Sequence, residues 1–312
     1  MSRTIQIGTR GSELALAQAR LAAGMLESAY PAAMFELVTI RTRGDRSPGP
    51  GNATRVGVGD FVREIESALL DGRVDLAVHS LKDVPTECAP GTIIAAVPER
   101  AAPHDVLVSR EGLTLAALPP GSRVGTMSAR RRAQLLRARP DLEPVPIRGN
   151  VDTRLRKLDS GQDGLAGIII AAAGLDRLGR SDRVTEALPA SAFLPAAGQG
   201  ALAVQARADD EEALELAGRI DDRRTRLACE AERLVISMLG CGCRTPVGVY
   251  GRTAGDMLEL AGAVLSVGGE EEIRGEVSGP SADAESLAGD LAEGLLERGA
   301  KGLIDGARGP GE

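Results

Sequence analysis

Strand and helix signals alternate through the first two thirds of this chain, which restricts the fold to α/β architectures built on mainly parallel sheets. Residues 4–8 show the Ile5/Ile7 alternation of a strand, and Thr9-Arg10-Gly11-Ser12 reads as a turn ending in a helix-capping Ser. Residues 13–30 then place Leu14, Ala17, Leu21 and Met25 at helical spacing, and Pro31 stops the helix. A strand is expected over 35–42, a helix over 61–70, and a buried strand over 74–78 that leads into His79-Ser80-Leu81-Lys82-Asp83. Residues 46–60 are too rich in Pro and Gly for regular structure and read as a mobile loop.

The same logic recurs. Ile7-Gly8-Thr9-Arg10-Gly11-Ser12 is echoed by Val124-Gly125-Thr126-Met127-Ser128-Ala129, again followed by a helix, and the 74–78 strand by Ile168-Ile169-Ile170. Each half therefore sets hydroxyls and backbone N–H groups at a strand-to-helix turn, a seat for anions. Two such halves facing one another are expected to form a cleft with an anion-binding lip on each side. From about Arg223 the pattern changes to a helix over 224–239, short strands and a helix over 284–299. That reads as a small α+β domain with a frayed Gly-rich tail.

Charge is distributed unevenly. The chain carries a net −7, yet residues 123–157 hold ten basic side chains, nine of them Arg, against three acidic ones. From Asp210 onward the balance reverses, with 21 acids against 11 bases. An Arg cluster suits bidentate capture of carboxylate or phosphate, and its extent favours a polyanionic ligand. The acidic whole argues against a generally basic nucleic-acid or membrane surface. With no Trp, three Phe and two Tyr, base-stacking platforms are not expected either. The sequence enters a strand directly after Ser2-Arg3-Thr4, so no signal peptide is expected and the four Cys read as reduced cytoplasmic thiols.

Several residues stand out as chemistry-bearing. Asp83 follows a buried strand, where ligand crevices of parallel sheets lie, and is a candidate charge stabiliser; it could equally cap the turn before Pro85. His79 reads as structural. Cys243 sits in Gly240-Cys241-Gly242-Cys243-Arg244-Thr245-Pro246, where redox pairing, metal binding and covalent attachment all remain open, although two His in the chain make a metal site improbable on ligand supply. Arg148-Gly149-Asn150-Val151-Asp152-Thr153-Arg154 opens a helix. Gln199 lies in the Gly-flanked crossing Gly198-Gln199-Gly200.

Together these stretches, in this order and spread over residues 9–246, resemble the porphobilinogen deaminase family. The resemblance implies two doubly wound domains like type II periplasmic binding proteins, 1–99 with 200–220 and 100–199, and a small α+β domain over 221–312. It implies a dipyrromethane cofactor in thioether linkage to Cys243, and Asp83 stabilising positive charge as ammonia leaves porphobilinogen. The electrophilic azafulvene so formed would be captured by the growing chain, and four rounds would give hydroxymethylbilane. Arg10, Ser12, Lys82, Thr126, Ser128, Arg130, Arg131, Arg148, Arg154 and Arg177 match positions that bind acetate and propionate side chains, with Gln199 beside them. The 46–60 loop would be a lid. It is shorter than in many relatives and lacks their Gly-Lys-Gly element, and Cys241 stands where relatives usually have Gly. A cytoplasmic monomer is implied, with a small-molecule substrate and neither nucleic-acid nor membrane partner.

Overall fold

The computed structural model describes residues 4–41, 62–242 and 245–308. The chain divides into two compact units, Met1–Ala101 with Ala201–Arg226, and Ala102–Gly200 with Leu227–Glu312.

The first unit is built from β1 (Thr4–Arg10), α1 (Glu13–Ala29), β2 (Met34–Ile40), α2 (Arg63–Leu70), β3 (Leu76–Ser80) and β4 (Thr92–Ala96). Later in the chain come β5 (Asp105–Ser109), β6 (Arg123–Gly125), α3 (Ala129–Ala138), β7 (Glu143–Val145), α4 (Val151–Asp159), β8 (Leu165–Ala171), α5 (Ala172–Arg177) and β9 (Glu186–Leu188), all in the second unit. The chain then returns to the first unit as β10 (Leu202–Arg207) and α6 (Glu211–Gly218). After α7 (Arg223–Met238) the second unit gains β11 (Val247–Ala254), β12 (Met257–Leu265), β13 (Glu272–Pro280), α8 (Ala284–Glu297) and α9 (Ala300–Ala307).

The two five-stranded sheets have one topology. The first runs β2-β1-β3-β10-β4 and the second β7-β6-β8-β5-β9. In each, three parallel strands are followed by one antiparallel strand supplied by the segment that has just crossed from the other unit. This strand exchange gives both units one doubly wound plan and is the physical content of the repeat seen in the sequence. Gly8 and Gly125 occupy equivalent places on β1 and β6. A Cβ at Gly8 would lie 3.0 Å from Val74 Cγ2, and one at Gly125 3.0 Å from both Ile147 Cγ2 and Ile168 Cγ2. Central strands covered on both faces leave no room there.

Helices α1, α3 and α4 are placed by a cap and an apolar stripe. Ser12 accepts from Ala15 N at 3.3 Å, Ser128 from Arg131 N at 3.4 Å and Asn150 from Thr153 N at 2.9 Å, so α1, α3 and α4 all begin at capped strand-to-helix turns. In the first unit, α1 buries Ala19, Ala22, Ala23 and Leu26 with Ile5, Ile7, Leu76 and Val78 of the sheet. In the second, Leu155 and Leu158 of α4 close over Ile168 and Ile170.

The C-terminal part of the second unit is an antiparallel β11-β12-β13 meander backed by α7, α8 and α9. Its end differs from the expected frayed tail. Gly299 takes the left-handed conformation (φ 93°) and breaks the helix, after which Ala300 and Ile304, four residues apart, bury onto the same core as α9. Among the described residues no helix is long and apolar enough to cross a membrane.

Candidate functional site

In the first unit, β1 and β3 are neighbouring parallel strands, with Ile7 opposite Leu76 and Gly8 opposite Ala77. Their carboxyl ends therefore emerge side by side, which brings Arg10 and Ser12 to the same sheet edge as Ser80, Lys82 and Asp83. Thr9, fully buried, donates to the Ala15 carbonyl at 3.1 Å and ties the turn to α1. Gln18 of α1 donates to Ser80 Oγ at 2.8 Å, fixing the end of β3. A single 3₁₀ turn, Leu81–Asp83, follows, anchored by Leu81 N on the Ala201 carbonyl at 3.0 Å. Leu81 is buried, Lys82 half-buried and Asp83 exposed. The turn thus lifts the Asp83 carboxylate off the end of a buried strand into solvent reach. His79, two residues into this strand end, is buried; burial holds its pKa down at about 4, Gln205 offsets part of that, and the Arg10 charge adds to the depression.

In the second unit the equivalent turn carries Thr126, buried, whose Oγ1 accepts from Ser128 N at 3.2 Å. The N-terminus of α3 follows, and Arg130 and Arg131 point inward from it, 5% and 7% exposed. Both bind Asp105, the first residue of β5, through Arg130 Nη1 at 2.7 Å and Arg131 Nη2 at 2.7 Å. Burial alone would raise the Asp105 pKa, but the two guanidiniums overcome it and hold the carboxyl well below the usual range. Gln199 is committed as well, donating to the Pro103 carbonyl at 2.7 Å and to Asp105 Oδ1 at 2.9 Å.

Arg154 and Arg177 differ from this pair. Arg154 is half-buried, its Nε donating to the Gly149 carbonyl at 2.8 Å, and burial together with the like charge of Arg131 depresses its pKa. Arg177 gives Nη2 to the Gly200 carbonyl at 2.7 Å, while its Nε is buried without a hydrogen-bond partner among the described residues. Arg148 is exposed at the start of α4. Half-buried guanidiniums beside the like charge of Arg131, one of them with an unanswered N–H, suit a ligand of several carboxylates, and a dipyrromethane with its acetate and propionate arms is such a group.

Of the expected site residues, Thr126, Ser128, Arg130, Arg131, Arg154, Arg177 and Gln199 form a connected set in the second unit, with Arg148 at its rim. Arg10, Ser12, Lys82 and Asp83 lie at the carboxyl ends of the adjacent strands β1 and β3 in the first. Cys243 and the 46–60 loop lie outside the described residues. Nearby Cys241 packs on the core between the β11-β12-β13 meander and its helices, its Sγ 3.8 Å from the Leu239 carbonyl; burial raises its pKa to about 11, with Arg308 opposing. Sequence reading missed Asp105 and Glu232. Fully buried Glu232 accepts from Gly198 N at 2.6 Å and Gly251 N at 2.7 Å. The signal for Asp105 was an acid opening an apolar strand.

Residues 5–215 match the family described as "Porphobilinogen deaminase, dipyromethane cofactor binding domain", and residues 226–297 match "Porphobilinogen deaminase, C-terminal domain". A protein named porphobilinogen deaminase from Pelotomaculum thermopropionicum is 46% identical over 311 residues, covering 99% of this chain and 98% of that one. One of the same name from Desulforudis audaxviator is 47% identical over 304 residues, covering 97% and 98%. Among solved structures, the methionine-binding protein MetQ superposes with a TM-score of 0.43 at 14% identity over 72% of this chain and 92% of that one, too loosely to add to the strand order itself. With two family segments in order and near-complete coverage by its relatives, the chain belongs to the porphobilinogen deaminase family.

Proposed function

We propose that this chain is a transferase that deaminates porphobilinogen and joins four molecules head to tail onto a covalently held dipyrromethane, releasing hydroxymethylbilane for tetrapyrrole and haem synthesis. Family membership over nearly its whole length carries this reading. When bound, the dipyrromethane supplies the free pyrrole α-carbon to which the first substrate ring is joined.

The chain's own residues have separate tasks. Arg130, Arg131, Arg148, Arg154 and Arg177, with the hydroxyls of Thr126 and Ser128 and the α3 N-terminus, hold acetate and propionate arms. Arg10, Ser12 and Lys82 do the same from the first unit. Asp83, exposed on its turn beyond β3, accepts the pyrrole N–H and stabilises positive charge as the carbon–nitrogen bond to the aminomethyl group breaks and ammonia leaves. Cys243 is the attachment residue. The thiol of Cys241, held protonated by burial at neutral pH, is a poor competitor for it.

In this reading residues 1–99 with 200–220, 100–199 and 221–312 act as three domains of a cytoplasmic monomer. Its partner is the small-molecule substrate, with neither nucleic acid nor membrane. Intact mass spectrometry of the purified chain tests the proposal. A mass increment of two linked pyrrole rings is expected in the wild type and in Cys241→Ser, and its absence in Cys243→Ser. An unmodified mass in a chain that consumes porphobilinogen would overturn it.

A further inference from the structure

The Asp105 carboxylate is fully buried, and three side chains converge on it. Oδ1 accepts from Arg131 Nε at 3.0 Å, Arg131 Nη2 at 2.7 Å and Gln199 Nε2 at 2.9 Å, and Oδ2 accepts from Arg130 Nη1 at 2.7 Å. Carbonyls complete the frame: Ile169 O receives Arg131 Nη1 at 3.2 Å and Leu194 O receives Arg130 Nη1 at 2.6 Å. Gln199 also ties the two crossing segments together, through the Pro103 carbonyl at 2.7 Å, and its Oε1 accepts from Arg131 Nη2 at 3.4 Å.

We infer that Asp105 is the positioning residue of the arginine pair, fixing the guanidiniums of Arg130 and Arg131, and through Gln199 the crossing segment beside them, in the orientation that receives pyrrole carboxylates. The inference rests on the carboxylate-binding role proposed above for these arginines. One acid answers two cations, so the cluster keeps a single positive charge. Full neutralisation would leave an anion nothing to bind, whereas two unanswered guanidiniums this close would repel and turn away from one another. Arginine recognises carboxylate through a planar fork, so its grip depends on orientation as much as on charge. Ions withdrawn from water are also a poor way to stabilise a core, since apolar replacements are often as stable. The arrangement makes sense as geometry.

The sign of one kinetic change separates positioning from simple charge balance. Asp105→Asn preserves shape and leaves both arginines, raising the local charge by one. A mere counter-ion, once removed, would free the guanidiniums to attract carboxylates as well or better, so KM for porphobilinogen would hold or fall. Positioning requires KM to rise. Wild type, Asp105→Asn and Gln199→Met are purified with cofactor load checked by intact mass, and initial rates are measured against porphobilinogen concentration. KM is expected to increase about tenfold in Asp105→Asn, the low end of what altering a residue behind a metal ligand costs, and less, about threefold, in Gln199→Met, with kcat changed less in both. Gln199→Met replaces a neutral side chain and leaves Asp105 paired with both arginines, so it decides the matter if Asp105→Asn fails to fold. A folded Asp105→Asn that cannot retain cofactor also supports the role. An unchanged or lowered KM in a cofactor-loaded variant overturns it. A wild-type chain that does not consume porphobilinogen overturns the proposed function instead.

Discussion

Acidification should strain the first unit through His79. Its ring is buried at the end of β3, with Arg10 nearby on β1, and Nε2 has no partner at hydrogen-bond distance among the described residues. The approach of Gln205, itself engaged with Glu66 Oε1 at 2.8 Å and Thr92 Oγ1 at 2.8 Å, offsets only part of the burial cost. Folding therefore lowers the pKa from 6.5 to about 4. Because the unfolded chain binds the proton more tightly, this contribution to stability is fully present above pH 6.5 and is lost as pH falls toward 4. Integrated from pH 7.5 to 5, the loss is about 2 kcal/mol, and it levels off near 3 kcal/mol below pH 4. Asp105 does not interfere, since its carboxyl titrates below the usual range and its contribution is lost only at lower pH. The assay is urea unfolding followed by far-UV circular dichroism, as the chain has no Trp. His79→Gln is compared with wild type at both pH values, and His104, present in both proteins, cancels. The wild type should lose about 2 kcal/mol more than the variant over this interval. Parallel pH profiles would refute the reasoning.

Two further substitutions separate chemistry from stability. Asp83 is exposed, so Asp83→Asn should unfold within about 0.5 kcal/mol of wild type and keep its cofactor. Steady-state porphobilinogen consumption should nonetheless slow by roughly 100-fold or more, and near-normal turnover would remove Asp83 from the mechanism. Glu232→Gln turns an amide N–H toward one of the two backbone donors it now accepts, Gly198 N at 2.6 Å or Gly251 N at 2.7 Å. That should cost about 2–4 kcal/mol and lower Tm by roughly 4–10 °C in a thermal scan, and a shift under about 1 °C would contradict it.

What the sequence made legible was whatever is local. The paired turns Gly8-Thr9 and Gly125-Thr126 could be matched because each needs a tight strand exit and a cap within a few residues. The direction of β5 and β10 could not be read. Both are apolar strands in a βα rhythm that favours parallel pairing, and only the crossing between units turns them antiparallel. Asp105 escaped notice because its partners lie 25 and 26 residues further on, beyond any helical or strand periodicity. Helix α9 was hidden by composition. Glycine content argued for fraying, while the burial of Ala300 and Ile304 depends on a core that forms only when α8 and the meander are in place.

The same distinction governs the basic island, whose raw charge overstates what a ligand meets. Arg139 is spent on its own surroundings, pairing with Asp141 at 2.5 Å and reaching the carbonyls of Leu115 and Leu118 at 2.6 and 2.8 Å. Arg137 pairs with Glu272 at 2.8 Å and Arg123 with Glu143 at 3.4 Å. Arg130 and Arg131 share Asp105. Cations held by neighbouring acids fix helices to sheets and present little net field to a ligand. Arg154 and Arg177 donate to the Gly149 and Gly200 carbonyls and keep their charge, and the Asp105 cluster keeps one positive charge. On the carboxylate-binding role proposed for these groups, selectivity for a growing polycarboxylate resides in where they are aimed, which places the burden on the buried acid that holds Arg130 and Arg131.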